Sequence, residues 1–256
     1  MALFTYGKDY VEYRNGGETL RVMAWGENSL RVVSVPNGPL DMSSSALLPQ
    51  EPVEAEITIG EDTAEITNGK ITALFDTRGW NDTAVLTFYN EKKEVILKEI
   101  DRGGALVRRA RFFNPYAGGD YRLKVTFESN PEEKIYGMGQ YQQEVFNLKG
   151  CNLELAHRNS QASVPFYVSS LGYGFLWHNS AIGSVSFGTN TTEWRADSTI
   201  KMDYWITVGD TPAKIEEQYS NATGKVPMMP EYGLGFWQCK LRYHNQEQVL
   251  KVAREY

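Results

Sequence analysis

The 256-residue sequence contains few of the residues that build metal centres and disulfide frameworks. Its two cysteines, Cys151 and Cys239, lie far apart and outside any C-x-x-C pattern, and there are only three histidines. Structural disulfides and zinc sites need several such residues at characteristic spacings. We therefore expect no disulfide framework, no protein-built metal site and no cofactor.

Long apolar runs and an excess of positive charge are also missing from the sequence. No run approaches the roughly 20 residues that cross a bilayer, and the first residues lack the charged and apolar regions of a signal peptide. The 26 basic residues against 32 acidic ones give a formal net charge of -6. This balance disfavours nucleic acid or an anionic membrane as a partner. The sequence thus predicts a soluble cytoplasmic protein.

Aromatic side chains, in contrast, are abundant and make up 12% of the residues. Aromatic faces stack well on sugar rings, but a large β-rich core uses the same side chains. The hydrophobic content of 41% and the charged content of 23% are typical of a globular protein. Composition therefore favours an aromatic core and leaves sugar binding open.

Alternation of apolar and polar residues predicts many short strands. Residues 121–128 show one apolar and one polar face, the period of two that a half-buried strand requires. Comparable segments lie at 20–25, 30–35, 55–59, 64–67, 71–75, 84–89, 95–99, 164–169, 173–178, 184–187 and 202–208. Between them we expect a glycine-punctuated loop at 135–143 and a polar stretch at 147–163. Many short alternating strands predict a mainly β fold, an antiparallel β-sandwich.

Two helices are predicted near the carboxyl end. Thr211 caps the first helix, Pro212 occupies its first position and Gly224 ends it. Asn245 caps the second helix, with Gln248 three residues later in the capping-box position.

The segment between the two helices predicts a second, incomplete unit. A proline-bounded connector at 226–230 leads to a strand at 234–237 and a polar loop at 238–244. A strand that feeds a helix needs a parallel partner strand after the helix, and the sequence ends at that point. We therefore assign residues 1–225 to the sandwich, and residues 226–256 to a connector and the first βα unit of a further domain.

Four stretches resemble, in the same order, the amino-terminal part of glycoside hydrolase family 31, the α-glucosidases and α-xylosidases. They are Tyr136–Gln140, His157–Asn159 with Val164–Gly174, Gly209–Pro212 with Thr223–Gly224, and Pro230–Lys240. At the first two stretches the family typically has Y-G-x-G-E/Q, and then an N/S-R-D tripeptide followed by a P-F/Y-Y strand. The fourth stretch resembles the start of the family's catalytic barrel.

The resemblance implies a galactose-mutarotase-like β-sandwich followed by the first βα unit of a truncated (β/α)8 barrel. It also implies hydrolysis of an α-glycosidic bond with retention, by two carboxylates about 5–5.5 Å apart. In the family both carboxylates lie on later barrel strands, so we expect a fragment without catalytic residues and without activity. The expected partner is an α-linked oligosaccharide or glycoside. The apolar face of the last helix is compatible with a homo-oligomer.

Five residues are substrate-binding candidates because of the resemblance. The family's tripeptide aspartate contacts the sugar in subsite -1, and its position here is Asn159, preceded by Arg158. An amide still donates to and accepts from hydroxyl groups but carries no charge, which suggests a different sugar or contact pattern. Trp237, Lys240 and Leu241 belong to the first barrel strand and its loop, on the aglycone side. Leu241 stands where some α-glucosidases have a tryptophan.

An independent aldose mutarotase or sugar epimerase is the first alternative function. Such an enzyme needs a histidine and a carboxylate positioned for proton transfer on the open face of a sheet. The candidates are His157 or His178 with Glu154.

A non-catalytic carbohydrate-binding module is the second alternative. It would present exposed aromatic rings as a platform for sugars. The candidates are Trp177, Trp194 and Trp205.

Overall fold

The computed structural model describes residues 3–80, 83–101 and 109–256 and shows a mainly β protein. Within these residues every strand pair is antiparallel. The chain divides into two compact units, Met1–Gly224 and Lys225–Tyr256. All strands of the described residues lie in the first unit.

Most strands coincide with the predicted alternating segments. In chain order they are β1 (Phe4–Tyr6), β2 (Tyr10–Asn15), β3 (Glu18–Ala24), β4 (Ser29–Pro36), β5 (Glu56–Ile59), β6 (Thr63–Asn68), β7 (Ile71–Asp76), β8 (Val85–Tyr89), β9 (Val95–Lys98), β10 (Arg111–Pro115), β11 (Tyr121–Glu128), β12 (Ile135–Gln140), β13 (Asn152–Leu155), β14 (Ala162–Ser169), β15 (Tyr173–Trp177), β16 (Gly183–Phe187), β17 (Thr191–Thr199) and β18 (Met202–Val208). The segment predicted at 121–128 is β11, residue for residue.

The strands form one eight-stranded and two five-stranded sheets. The strand order in the large sheet is β1-β2-β3-β4-β18-β15-β14-β12. The smaller sheets have the orders β10-β11-β17-β16-β13 and β5-β6-β7-β8-β9, and a bridge between Glu99 and Phe127 connects them. Buried side chains from all three sheets form one continuous core. The predicted mainly β, antiparallel architecture is confirmed, and its packing is that of a sandwich.

Trp194 on β17 lies at the centre of this core. Its ring centroid is 5.4 Å from that of Trp177, 5.3 Å from Phe175 and 6.2 Å from Tyr167. The three partners belong to β14 and β15 of the large sheet, and all four rings are buried. Ring stacking of this kind adds to the burial of large apolar surfaces. It therefore holds the eight-stranded sheet and the β10-β11-β17-β16-β13 sheet face to face, as the two layers of the sandwich.

The first helix, α1 (Pro212–Thr223), forms as predicted. The hydroxyl of Thr211 accepts from the Lys214 N–H at 3.2 Å, and Gly224 ends the helix. Ile215 is a buried residue of α1 itself. The ring of Tyr219 stacks on Phe166 of β14 at 3.8 Å, which attaches α1 to the outer face of the large sheet.

The prediction of a loop at 135–143 is wrong for residues 135–140, because these residues form β12. Gly137 and Gly139 interrupt the apolar pattern, and glycine within a strand often marks a bulge. The register of β12 against β14 does shift between these two glycines. The polar stretch predicted at 147–163 likewise contains β13, and four further strands have no counterpart among the predicted segments: β1, β2, β10 and β17.

In the second unit, the strand predicted at 234–237 is wrong. Glu231–Leu234 is a short 3-10 turn, and residues 235–245 form neither helix nor strand. A strand needs a hydrogen-bonded neighbour, and no other segment of unit Lys225–Tyr256, all of which is described, provides one. The second helix, α2 (Gln246–Glu255), is confirmed, since the Asn245 side chain accepts from the Gln248 N–H at 3.0 Å.

Candidate functional site

Arg158 and Asn159 lie together on a tight turn between β13 and β14, the Arg158–Gln161 turn. The Gln161 N–H donates to the Arg158 carbonyl at 3.0 Å and closes the turn. Ser160 has φ +69°, the left-handed geometry of the third residue in a type II turn. Arg158, Asn159 and Ser160 are exposed, and in the described part of the chain no group hydrogen-bonds the Asn159 amide. The amide is therefore available to a ligand.

A carboxylate four residues earlier orients Arg158. Oε2 of Glu154 accepts from Nε of Arg158 at 2.6 Å, and Oε1 accepts from Nη2 at 2.5 Å. Two parallel bonds of this kind fix the plane of the guanidinium group. The hydrogen bonds from Arg158 lower the pKa of Glu154, and the same contact raises the pKa of Arg158. The pair is therefore charged at neutral pH, and the other N–H groups of Arg158 remain available.

A tyrosine joins the two strands that flank the turn. Oη of Tyr141 lies 2.8 Å from the carbonyl oxygen of Glu154 on β13, and 2.8 Å from Oγ of Ser163 on β14. The Tyr141 ring is half-buried against the main core, and burial raises the pKa of its hydroxyl. Since β13 and β14 belong to different sheets, one hydroxyl group bridges the two layers beside the turn.

Two glycines of β12 bring Tyr141 to this position. A Cβ on Gly139 would overlap the carbonyl oxygen of Ala162, and one on Gly137 would lie 2.8 Å from that of Phe166. Both glycines also have positive φ, +89° and +119°, which other residues adopt at a cost. The Y-G-M-G-Q stretch therefore shapes the strand next to the turn.

An open groove of about 380 Å³ flanks the turn. Its lining includes His157, Ser163, Asn179 and Ile182. His157 is exposed, and its Nδ1 accepts from the Ser163 N–H at 3.4 Å. Ligand sites typically combine apolar surface with a few polar groups in this way. The groove is therefore the candidate cavity beside His157 and Ser163, which lie just before and just after the turn.

The other three candidates lie in the second unit, between its 3-10 turn and α2. Nε1 of Trp237 donates to the Gly233 carbonyl at 2.9 Å, and the Trp237 side chain is 73% exposed. Nζ of Lys240 lies 5.9 Å from the centre of the Tyr243 ring. Leu241 is 95% exposed. Large exposed apolar side chains concentrated in one segment are typical of a surface that contacts a ligand or another part of a protein.

The three tryptophans proposed as a carbohydrate platform are buried, so that interpretation is wrong for them. Trp177 is 1% exposed, and Trp194 and Trp205 are 0% exposed. A buried ring cannot stack on a sugar from solvent. The tryptophans are core residues.

The proposed proton-transfer pair also lacks support. The carboxylate of Glu154 is engaged by Arg158, while His178 is buried with Nδ1 at 3.1 Å from Asp203. Among the residues that the structure describes, no hydrogen bond connects Glu154 with His157 or His178.

Residues 3–80, 83–101 and 109–256 form neither a metal-binding cluster nor a membrane-spanning helix. Among them, no group of three or more His, Cys, Asp or Glu side chains is arranged to hold a metal ion. No helix formed by these residues has the length and apolar character needed to cross a membrane.

Comparison with known proteins identifies the first unit. Residues 19–185 match the family model described as the glycosyl hydrolase 31 N-terminal galactose mutarotase-like domain. The chain belongs to glycoside hydrolase family 31. The family predicted from the four sequence stretches is thereby confirmed, and the sandwich corresponds to the amino-terminal domain of its enzymes.

Relatives in family 31 match nearly the whole chain and extend well beyond it. The uncharacterized family 31 glucosidase ORF2 of Pseudescherichia vulneris is 46% identical over 96% of this chain and 49% of its own length. α-Xylosidase A of Aspergillus niger is 28% identical over 96% of this chain and 36% of its own. The crystal structure of a GH31 α-xylosidase from a soil metagenome, complexed with xylose, has a TM-score of 0.88 and 46% identity over 99% of this chain and 39% of that one. The chain thus spans half or less of these relatives.

Several groups around the turn were outside the site predicted from the sequence. Tyr141 and Ser163 were not predicted as site residues. Glu154 was considered only as a proton-transfer group of the alternative mutarotase or epimerase function. The one signal for Tyr141 is its position directly after the Y-G-M-G-Q stretch. Glu154 and Arg158 lie four residues apart, a spacing that allows their contact. Many exposed charged pairs have the same spacing, so the spacing alone does not predict the contact.

Proposed function

We propose that this chain is the amino-terminal portion of a retaining α-glycosidase that acts on α-linked xylosides or glucosides. The observation that carries the proposal is the exposed Arg158–Gln161 turn, with its unbonded Asn159 amide at the position of the family's sugar-binding aspartate. In the complete protein this turn lines subsite -1. Asn159 donates to and accepts from sugar hydroxyls there, because an amide has both capacities.

We further propose that residues 1–225 form the sandwich domain and that residues 226–256 lead into a catalytic barrel. The match to the soil-metagenome α-xylosidase over 99% of this chain supports this assignment for both units. Trp237, Lys240 and Leu241 then line the aglycone side of the pocket. The nucleophile and the general acid/base lie beyond residue 256, so the chain alone does not hydrolyse glycosides.

An α-xyloside is the first substrate to test, because two of the proteins most similar in structure are xylosidases. In the complete protein, Asn159→Ala should lower kcat/KM for nitrophenyl α-xyloside by about tenfold, the loss expected from one or two hydrogen bonds. Stability should stay unchanged because Asn159 is exposed. Unchanged kcat/KM in Asn159→Ala would contradict the role of the turn.

The matched control is Asn190→Ala, which removes another exposed amide from the turn between β16 and β17. It should leave both kcat/KM and stability unchanged. The 256-residue chain on its own should release no nitrophenol from nitrophenyl α-xyloside or nitrophenyl α-glucoside. Turnover by the purified chain would show that the catalytic carboxylates lie within it.

A further inference from the structure

We propose that Tyr141 and Glu154 are positioning residues that hold the Arg158–Gln161 turn in its binding geometry. The inference rests on the proposed role of this turn in sugar binding. The two residues act in different ways, since Tyr141 fixes the two ends of the segment and Glu154 orients the guanidinium group of Arg158.

Few backbone hydrogen bonds stabilise the segment that contains the turn. β13 ends at Leu155 and β14 begins at Ala162, so residues 156–161 cross from one sheet to the other outside both ladders. In the described part of the chain, the one backbone bond within this crossing is that of the turn, from Gln161 N–H to Arg158 at 3.0 Å. Exposed segments with few hydrogen bonds open easily. The geometry of the turn therefore depends on side chains.

Tyr141 fixes both ends of the crossing through one hydroxyl group. Oη of Tyr141 is the donor to both the Glu154 carbonyl oxygen and Oγ of Ser163, so its single proton is shared between the two acceptors. Glu154 lies two residues before the crossing and Ser163 one residue into β14. Because the Tyr141 ring packs against the main core, both ends are attached to a rigid part of the molecule.

Glu154 acts on Arg158 and hardly at all on folding. The two side chains are 47% and 60% exposed, and ion pairs at such positions contribute little to stability. Their paired hydrogen bonds nevertheless fix the direction of the guanidinium group and use only two of its five N–H groups. The remaining donors, including both on Nη1, stay available to a ligand. Such preorganisation lowers the entropy lost on binding.

Hydrogen exchange of the full 256-residue chain tests the positioning directly, without any substrate. Tyr141→Phe keeps the ring and removes the hydroxyl, and it should speed exchange of the Gln161 amide about fivefold, as expected for one lost hydrogen bond. Glu154→Gln should also speed hydrogen exchange of the Gln161 amide, but by a smaller factor. Glu193→Gln is the matched control, since Glu193 binds Arg195 at 2.7 Å on β17, one strand removed from β13. Equal Gln161 exchange in wild type and Tyr141→Phe would overturn the proposal.

Kinetics of the complete protein separate this inference from the proposed function. With nitrophenyl α-xyloside, Tyr141→Phe and Glu154→Gln should each lower kcat/KM about fivefold, with only a small loss of thermal stability for Tyr141→Phe and none for Glu154→Gln. In an Arg158→Gln background, Glu154→Gln should have no further effect, because its target is gone. If only Asn159→Ala lowers kcat/KM, the turn binds sugar and the positioning role is wrong. If Tyr141→Phe speeds Gln161 exchange while Asn159→Ala keeps full activity, the positioning stands and the sugar contact is wrong.

Discussion

Arg31 and Asp203 form a bidentate ion pair on the outer face of the large sheet, buried beneath the loop that follows β4. Nε of Arg31 donates to Oδ1 of Asp203 at 3.0 Å, Nη2 donates to Oδ2 at 2.6 Å, and both side chains are 0% exposed. Oδ2 also lies 3.1 Å from Nδ1 of His178 and 3.5 Å from Nζ of Lys201. Nη2 of Arg31 and Nζ of Lys201 donate to the Ser43 carbonyl at 3.2 and 2.6 Å. The buried charges thus attach the loop before β5 to strands β4 and β18.

Removal of one charge from this pair should destabilise the fold strongly. Asp203→Asn keeps the volume but leaves Arg31 buried without its counter-ion, a loss of about 3–5 kcal/mol for broken buried pairs. Urea unfolding of the 256-residue chain measures the change. The double variant Arg31→Met/Asp203→Leu should be less destabilised than Asp203→Asn, because it removes both buried charges. A change below about 1 kcal/mol for Asp203→Asn would contradict the prediction.

A second buried cluster, around Glu18 and Arg111, should make the stability of the fold depend on pH in the acidic range. Oε1 of Glu18 accepts from Nε of Arg111 and from the Ser34 hydroxyl, both at 2.6 Å. Burial raises the pKa of Glu18, but the charge and hydrogen bonds of Arg111 outweigh burial and leave the pKa below the ordinary value of 4.5. A lowered pKa stabilises the folded state above 4.5, and this contribution disappears as the pH falls through the lower folded value.

Glu18→Gln removes the titrating group and should flatten that dependence. The free energy of unfolding of the wild type should fall more steeply between pH 4.5 and more acidic values than that of Glu18→Gln. Glu99 shares Arg111, and burial together with the charge of Glu18 contributes to raising the pKa of Glu99. The comparison is therefore made in a Glu99→Gln background, where the difference between the two slopes isolates Glu18. Urea titrations across this range measure both slopes, and identical slopes would show that Glu18 does not titrate differently in the folded state.

Tryptophans of the core and of the surface should respond differently to truncation. Trp194→Ala opens a cavity at the centre of the ring cluster and should cost about 3–5 kcal/mol of unfolding free energy. Trp80 is 75% exposed, so Trp80→Ala should change the stability by less than about 0.5 kcal/mol. Urea unfolding compares the two variants. Loss of less than about 1 kcal/mol in Trp194→Ala would mean that the aromatic stack does not hold the layers together.

The sequence predicted the fold where side chains alternate without interruption. β11 and β18 carry an apolar residue at every inward position, so their bounds follow from the pattern alone. β12 escaped prediction because Gly137 and Gly139 supply no side chains to alternate. The false strand at 234–237 shows the converse limit, since apolar residues alone do not make a strand without a pairing partner.

The candidate site was predictable only in its exposed part. Family resemblance pointed to Arg158 and Asn159, which the structure places on one turn. The supporting contacts of Tyr141 were out of reach, because its partners Glu154 and Ser163 are distant in sequence. They meet only because β12 and β13 are edge strands of two sheets that pack together. Contacts across layers of this kind leave no local pattern in a sequence.

Gly139 and Gly118 form a matched pair that separates steric from conformational requirements. Their φ values are nearly equal, +89° and +83°, so an alanine at either position meets a similar backbone penalty of about 1–2 kcal/mol. A Cβ on Gly118 has no atom within 4 Å, whereas one on Gly139 would overlap the Ala162 carbonyl oxygen.

Gly139→Ala should therefore destabilise the chain more than Gly118→Ala, since the excess measures the close approach of β12 and β14. Because β14 starts at Ala162, directly after the Arg158–Gln161 turn, the displacement should also speed exchange of the Gln161 amide. Gly118→Ala should leave that amide unchanged. Urea unfolding and hydrogen exchange measure the two effects on the same proteins. Equal losses of stability in both variants would mean that backbone conformation, and not the contact with Ala162, requires glycine in β12.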